Sequence, residues 1–211
     1  MKPLLAFTID ELRSLYEEKR TAIKVRLKDF AGVSPDEYFY ELAYCLLTPQ
    51  SSAFAAAKAI TVLEEQNFHH RYFDPEKFLH QKEFYIRFHK TKAKHLIAMK
   101  EQFPSVHAQL IGSLSNQELR EWLVKNVKGM GWKESSHFLR NIGRRELAIL
   151  DRHILKNLVR VGVLRRLPKT LTPKRYKQIE KKFHTFAVQI GIPMDELDLL
   201  FWSLETGTIF K

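Results

Sequence analysis

Apolar residues recur at intervals of three and four along most of the chain, and strict alternation is scarce, so the pattern predicts an all-α protein. Thr8-Ile9-Asp10-Glu11 has the spacing of a capping box, in which a hydroxyl accepts the third amide and a glutamate reaches back, and it opens a helix toward Gly32. Ser34-Pro35-Asp36-Glu37 starts the next with a cap, a first-turn proline and first-turn acids, and Pro49 breaks it. Further helices are predicted over the alanine-rich Ala53 to Leu63, in the segment after Asp74-Pro75-Glu76, and in a basic amphipathic stretch around Lys92 to Met99. Thr172 to Ile190, stopped by Gly191, and a last segment near Pro193 to Ser203 complete the set. No internal repeat or low-complexity linker interrupts it.

One pair of helices carries more than packing information. Ser115-Asn116-Gln117-Glu118 is a second capping box, and Leu119, Trp122, Leu123 and Val127 follow at helical spacing, so a helix is expected to run into Lys128. Gly129 and Gly131 then flank Met130, a spacing that suits a hairpin too tight for side-chain-bearing residues. Trp132, Phe138, Leu139 and Ile142 are the apolar positions of the helix after it, with Gly143 as its stop. Such a hairpin offers backbone N–H groups at a positive helix terminus, where a phosphate can be held without reference to base identity. An ordinary helix corner whose glycines only permit close packing is equally consistent with the spacing.

Lys133 lies in the first turn of that second helix, at the end where the macrodipole disfavours a cation. A positive potential combined with partial burial favours the free amine, the nucleophilic form of a lysine, whereas a solvated surface lysine needs no such purpose. Asp151, 18 residues further on, closes the apolar run Leu147 to Leu150 and precedes the helical positions Ile154, Leu155, Leu158 and Val159. It is a natural N-cap, and a capping carboxylate is also held rigidly enough to serve a reaction.

The motif Gly129-Met130-Gly131-Trp132-Lys133, followed by a helix, an apolar run and an aspartate, resembles the helix–hairpin–helix signature of DNA base-excision glycosylases that also cleave the strand. Leu46-Leu47-Thr48-Pro49-Gln50-Ser51-Ser52, the segment Arg87 to Lys94, the run Lys133 to Gly143 and a chain ending on lysine are most similar to the compact type-2 8-oxoguanine DNA glycosylases. The resemblance implies a two-lobed helical fold forming one catalytic unit. One lobe would comprise about residues 1–50 and 152–211, and the other about 51–151, with the helix–hairpin–helix near 115–143. It further implies Lys133 as nucleophile, Asp151 as its partner, Gly129 and Gly131 as phosphate-binding positions, and Gln50 as a side chain that fills the space left by the damaged nucleotide. Lys211 is implied in the base pocket, where its α-carboxylate would accept the hydrogen that 8-oxoguanine, unlike guanine, carries on N7. Trp202 near the end of the last helix is the candidate for stacking on that base, and His137, one turn beyond Lys133, for lining the pocket. A core tryptophan and a packed histidine are the plain alternatives for these two. A DNA-binding module without catalysis and a glycosylase for another lesion, such as an oxidised pyrimidine, remain open.

Charge agrees with a nucleic-acid partner. The chain has 211 residues and a formal charge of +11, with an isoelectric point near 9.7. Nine basic residues against one acid lie between Arg160 and Lys182, and five with no acid between Arg87 and Lys100. Such stripes can neutralise phosphates or only serve solubility. The single cysteine, Cys45, lies in an apolar run and leaves no basis for a disulfide or a four-cysteine iron–sulfur cluster. The nine histidines lack convincing metal-ligand spacing, and adjacent His69 and His70 are expected to point apart on a helix, toward solvent or DNA. No metal and no cofactor are expected, apart from a structural monovalent cation that the resemblance allows at the carbonyls of Gly129 to Gly131. Met1 to Leu5 is too short for a signal peptide and no apolar run spans a membrane, so the expectation is a monomer acting on double-stranded DNA, without membrane contact, in the cytoplasm and nucleoid.

Overall fold

The computed structural model describes residues 7–211, so the expectation for Met1 to Leu5 lies outside it. Among the described residues there are nine α-helices and no strand, only an isolated antiparallel bridge between His80 and Tyr85. The helices are α1 (Ile9–Ala31), α2 (Tyr38–Leu47), α3 (Ala53–Glu65), α4 (His89–Leu110), α5 (Asn116–Asn126), α6 (Trp132–Asn141), α7 (Arg152–Arg160), α8 (Pro173–Ile190) and α9 (Met194–Thr206). Both capping boxes form as the sequence predicts. Thr8 Oγ1 accepts Glu11 N at 3.2 Å while Glu11 Oε2 accepts Thr8 N at 2.7 Å, and Ser115 with Glu118 repeats this at 3.3 and 2.9 Å. Each such cap stabilises its helix by about 1 kcal/mol.

Contacts divide the chain into two units, Val33–Ile142 and the segment ending at Gly32 together with Gly143–Lys211. The divisions fall at Gly32 and Ile142 rather than near 50 and 151, because α2 packs on α3, α4 and α6. Its Phe39, Leu42, Ala43, Cys45 and Leu47 are completely buried, which makes α2 the central helix of the middle unit. In the other unit α9 has that place. It packs on α1, α7 and α8, and Leu197, Leu200 and Phe201 are fully buried.

Four local expectations are corrected. The segment after Asp74 makes one 3-10 turn, Glu76–Phe78, and no helix. No residue between the fully buried Leu79 and Ile86 is buried, so the stripe a helix would need is missing, and the two are instead joined by the Ile86 N to Leu79 O bond at 3.0 Å. Helix α4 continues past Met99 through Pro104, since burial of Phe103, Val106 and Leu110 outweighs the backbone bond that proline removes. Helix α5 stops at Asn126. Val127 turns extended and is 2% exposed, so burial draws it out of the helix before Lys128. His69 and His70 do not diverge. Asn67 has φ +53° and ends the preceding helical geometry, and the His69 ring stacks on Phe39 at 4.0 Å and on His70 at 4.4 Å.

Candidate active site

The hairpin is built by one glycine at positive φ and one buried methionine. Val127 is extended, Met130 N donates to Val127 O at 3.1 Å, and Met130 is 4% exposed, so the turn is pinned from beneath by an apolar side chain. Gly129 has φ +95°, a region that suits glycine alone, and a Cβ there would stand 2.6 Å from His95 Nδ1 and 2.9 Å from Leu46 Cδ2. Gly131 differs from expectation. Its backbone, φ −91° and ψ −176°, is ordinary extended chain, and a Cβ would meet only Glu134 Oε2, at 2.8 Å. Since that carboxylate is the end of a flexible side chain, Gly131→Ala is expected to fold nearly as wild type. Gly129→Val is expected to lose about 1–3 kcal/mol from the disfavoured angle alone, with additional loss from the clash. Urea denaturation of the two variants measures this difference, and equal midpoints would remove the strain from the account.

Lys133 is the second residue of α6, its side chain 23% exposed, with Nζ 3.8 Å from Glu134 Oε1. The start of α6 is set by Arg120 of α5. That arginine is 1% exposed, its guanidinium lies 4.8 Å above the Trp132 ring, and it donates to Ser136 Oγ at 3.2 Å. A second amine belongs to the same electrostatic cluster. Lys92 of α4 is 5% exposed, and burial pushes it down to about 8, with the charge of Lys133 lowering it further and Glu134 opposing. Its Nζ donates to Leu47 O at 2.7 Å, Pro49 O at 2.6 Å and Ser51 Oγ at 3.1 Å. An amine committed to three acceptors has no lone pair to offer, whereas Lys133 sits at the surface of the unit. His95, beneath the hairpin, is held below the usual histidine value by burial, and then by the charges of Lys128 and Lys92.

Asp151 caps α7, its Oδ1 accepting Ile154 N at 2.8 Å. The run before it has no sheet or helix partner, and side chains satisfy its backbone instead. Asp195 Oδ2 accepts Glu146 N at 3.1 Å, Glu180 Oε1 accepts Ala148 N at 2.8 Å, and Tyr176 Oη donates to Ala148 O at 2.6 Å and accepts Leu150 N at 3.1 Å. With Leu147, Ala148, Ile149 and Leu150 all buried, this anchoring delivers Asp151 at a fixed place on the unit.

The other expected site residues are distributed as follows. Gln50 is exposed and left-handed at φ +55°. Trp202, on α9, is half-buried, and Ile209, Phe210 and Lys211 are half-buried as well, so the last residues are docked. His137 is 5% exposed and lies edge-on to Tyr44, with ring centroids 5.7 Å apart. That contact packs α6 against α2. Both basic stripes contain fewer solvent-facing cations than their counts suggest. Lys92 is buried, and Lys100 donates to Phe68 O at 2.7 Å and Arg71 O at 2.6 Å. Arg160 is paired with Glu205, which also binds Lys156 at 2.8 Å. Arg165, Arg166, Lys169, Lys174, Arg175, Lys177, Lys181 and Lys182 remain exposed. Among the described residues no three histidine, cysteine, aspartate or glutamate side chains gather to hold a metal, and no helix is long and apolar enough to cross a membrane.

Sequence reading passed over Lys92, Arg120 and Glu134. A signal for Lys92 exists: it falls in register with Leu96, Met99, Phe103 and Val106, all buried on one stripe of α4.

Comparison with known proteins gives this geometry its context. Residues 23–192 match the model of a helix–hairpin–helix family described as 8-oxoguanine DNA glycosylase. The chain belongs to that family. The 8-oxoguanine DNA glycosylase/AP lyase of Fusobacterium nucleatum is 42% identical, over 96% of this chain and 97% of that protein. Its counterpart in Methanocaldococcus jannaschii is 33% identical over 99% and 100%. Among solved structures, the 8-oxoguanine DNA glycosylase of Thermotoga maritima superposes with a TM-score of 0.85 at 30% identity, covering 96% of this chain and 98% of that one. The Methanocaldococcus jannaschii enzyme solved with a 15-mer DNA containing 8-oxoguanine gives 0.82 at 29% identity, covering 95% and 99%. The all-α fold expected from the sequence is therefore the helix–hairpin–helix glycosylase fold.

Proposed function

We propose that this chain excises 8-oxoguanine from double-stranded DNA and cleaves the strand at the resulting site, with Lys133 as the nucleophile. The observation that carries the reading is the amine of Lys133, partly exposed at the first turn of α6 directly after the hairpin, in a family whose named members are 8-oxoguanine DNA glycosylase/AP lyases. The damaged nucleotide leaves the stack at a cost of a few kcal/mol, recovered through contacts in the enzyme. Gln50 fills the vacated space. The free amine of Lys133 attacks C1′ of the sugar, the bond from C1′ to the base breaks, and the base departs with the bonding pair and takes up a proton. The carboxylate of Asp151 stabilises positive charge developing on the sugar and assists the proton transfers. The nitrogen lone pair then breaks the C1′–O4′ bond, and O4′ takes up a proton as the sugar ring opens and a Schiff base forms between C1′ and Lys133. Removal of a C2′ proton then expels the 3′ phosphate and cuts the strand.

Backbone amides at Gly129 and Gly131 hold a phosphate on the lesion strand, with the carbonyls of the same hairpin suited to a monovalent cation. The exposed cations of α8 and the loop before it contact the duplex regardless of sequence. Recognition of the extruded base belongs to Trp202, stacking on its face, and to Lys211, supplying the acceptor that the N7 hydrogen calls for. The protein acts as a monomer on the nucleoid, in the cytoplasm.

Borohydride trapping tests nucleophile and substrate together. Trapping is expected on duplexes containing 8-oxoguanine and on abasic duplexes, and absent with guanine. A protein that binds all of these duplexes and is trapped on none is a binding module. Faster trapping on an oxidised pyrimidine than on 8-oxoguanine would reassign the substrate. Removal of Lys211 is expected to abolish the preference for 8-oxoguanine and to leave trapping at abasic sites intact.

A further inference from the structure

Lys92 has no part in the chemistry above, yet its ammonium is held where a loop of the site is formed. The three acceptors it reaches bracket Gln50: Leu47 O and Pro49 O on one side, Ser51 Oγ on the other. Leu47 is the last residue of α2, so its carbonyl is one that a helix end leaves for an outside donor. Ser51 is fastened twice more, its N donating to Thr48 O at 3.0 Å and its Oγ accepting Arg87 N at 3.0 Å. Gln50 itself has φ +55°, a conformation that a residue with a side chain keeps only when its surroundings enforce it. A lysine ammonium offers three donors in a tripod, the number and arrangement that three converging oxygens require. Its burial is costly for a charge, and these short charge-assisted bonds are what offset it.

We propose that Lys92 is a positioning residue whose ammonium wraps the turn from Leu47 to Ser51 around itself and thereby aims Gln50, setting how readily a damaged nucleotide leaves the stack. The proposal rests on Gln50 filling the vacated space. Lys92 acts before the covalent steps, through the shape of the turn, and Lys133 remains the attacking amine. Excision of a stacked base should then depend on Lys92 far more than cleavage at a pre-formed abasic site, where no base has to be extracted.

The test is a double-mutant cycle of Lys92→Met and Gln50→Ala, read in single turnover on an 8-oxoguanine duplex and on an abasic duplex, with thermal unfolding of each protein. Lys92→Met is expected to slow base excision by about tenfold or more, as loss of side-chain alignment does, while cleavage of the abasic duplex stays close to wild type. In the Gln50→Ala background the same change is expected to add no further loss. Equal losses on both substrates, or a full additional loss without Gln50, would overturn the role of Lys92 and leave that of Gln50 standing. Wild-type excision by Gln50→Ala would instead remove the role of Gln50, and with it the proposal. If Lys92→Met does not fold, Ser51→Ala deletes one of the three acceptors. It should show the same split between substrates at smaller size, together with faster hydrogen exchange at the Arg87 amide, and the absence of both would overturn the proposal.

Discussion

Lys133→Gln is expected to lose base release and borohydride trapping together, each by at least about 10⁴-fold, as removal of a nucleophile does in other covalent enzymes. DNA affinity should stay near that of wild type. Glutamine is close to lysine in length and keeps a polar tip at the first turn of α6, so the hairpin and the Arg120 contacts that set the helix are undisturbed. The measurement is informative because a second amine belongs to the same cluster. Burial lowers the affinity of Lys92 for its proton, to about 8, and on that ground alone it would compete for the role of nucleophile. Geometry decides against it, since Lys92 Nζ is 2.6 to 3.1 Å from three oxygens at once. Covalent trapping that survives in Lys133→Gln would hand the chemistry to another amine, with Lys92 first in line.

Asp151→Asn is expected to slow excision by about 10²–10³-fold, the usual loss when one electrostatic partner of a transition state is neutralised. Stability should change by less than about 1 kcal/mol, because asparagine caps helices as well as aspartate and retains an oxygen for Ile154 N. The two roles of Asp151 therefore separate in one variant: the cap survives and the charge does not. Asp151→Ala provides the complement, losing both, with about 1 kcal/mol of additional destabilisation. An Asp151→Asn protein that excises at the wild-type rate would leave the residue with capping alone.

How much of this was legible beforehand depended on how local the governing physics is. Both capping boxes, the Asp151 cap and the start of α8 at Pro173 are contacts between residues three or four apart, and all form where the spacing places them. The all-α class was equally legible, because apolar periodicity is a property of the backbone repeat. Where a helix ends proved less local. Val127 leaves α5 because its side chain is buried, and Pro104 stays within α4 because residues on both sides of it are.

Charge was the least legible quantity. In the chain Lys92, Lys100 and Arg160 read as parts of basic stripes, but each is engaged by oxygens supplied from elsewhere in its unit, at Leu47 and Pro49, at Phe68 and Arg71, and at Glu205. Likewise Gly129 and Gly131 look alike in sequence, yet His95 and Leu46 crowd the first and only the mobile carboxylate of Glu134 meets the second. Local spacing was enough to specify the helices, their caps and the order Gly-Met-Gly-Trp-Lys, since those follow from backbone geometry and near neighbours. Which lysine is tied to backbone oxygens, which cations still face solvent and which glycine is crowded were settled only when residues tens of positions apart came into contact, because desolvation and hydrogen bonding depend on what surrounds a group and not on its place in the chain.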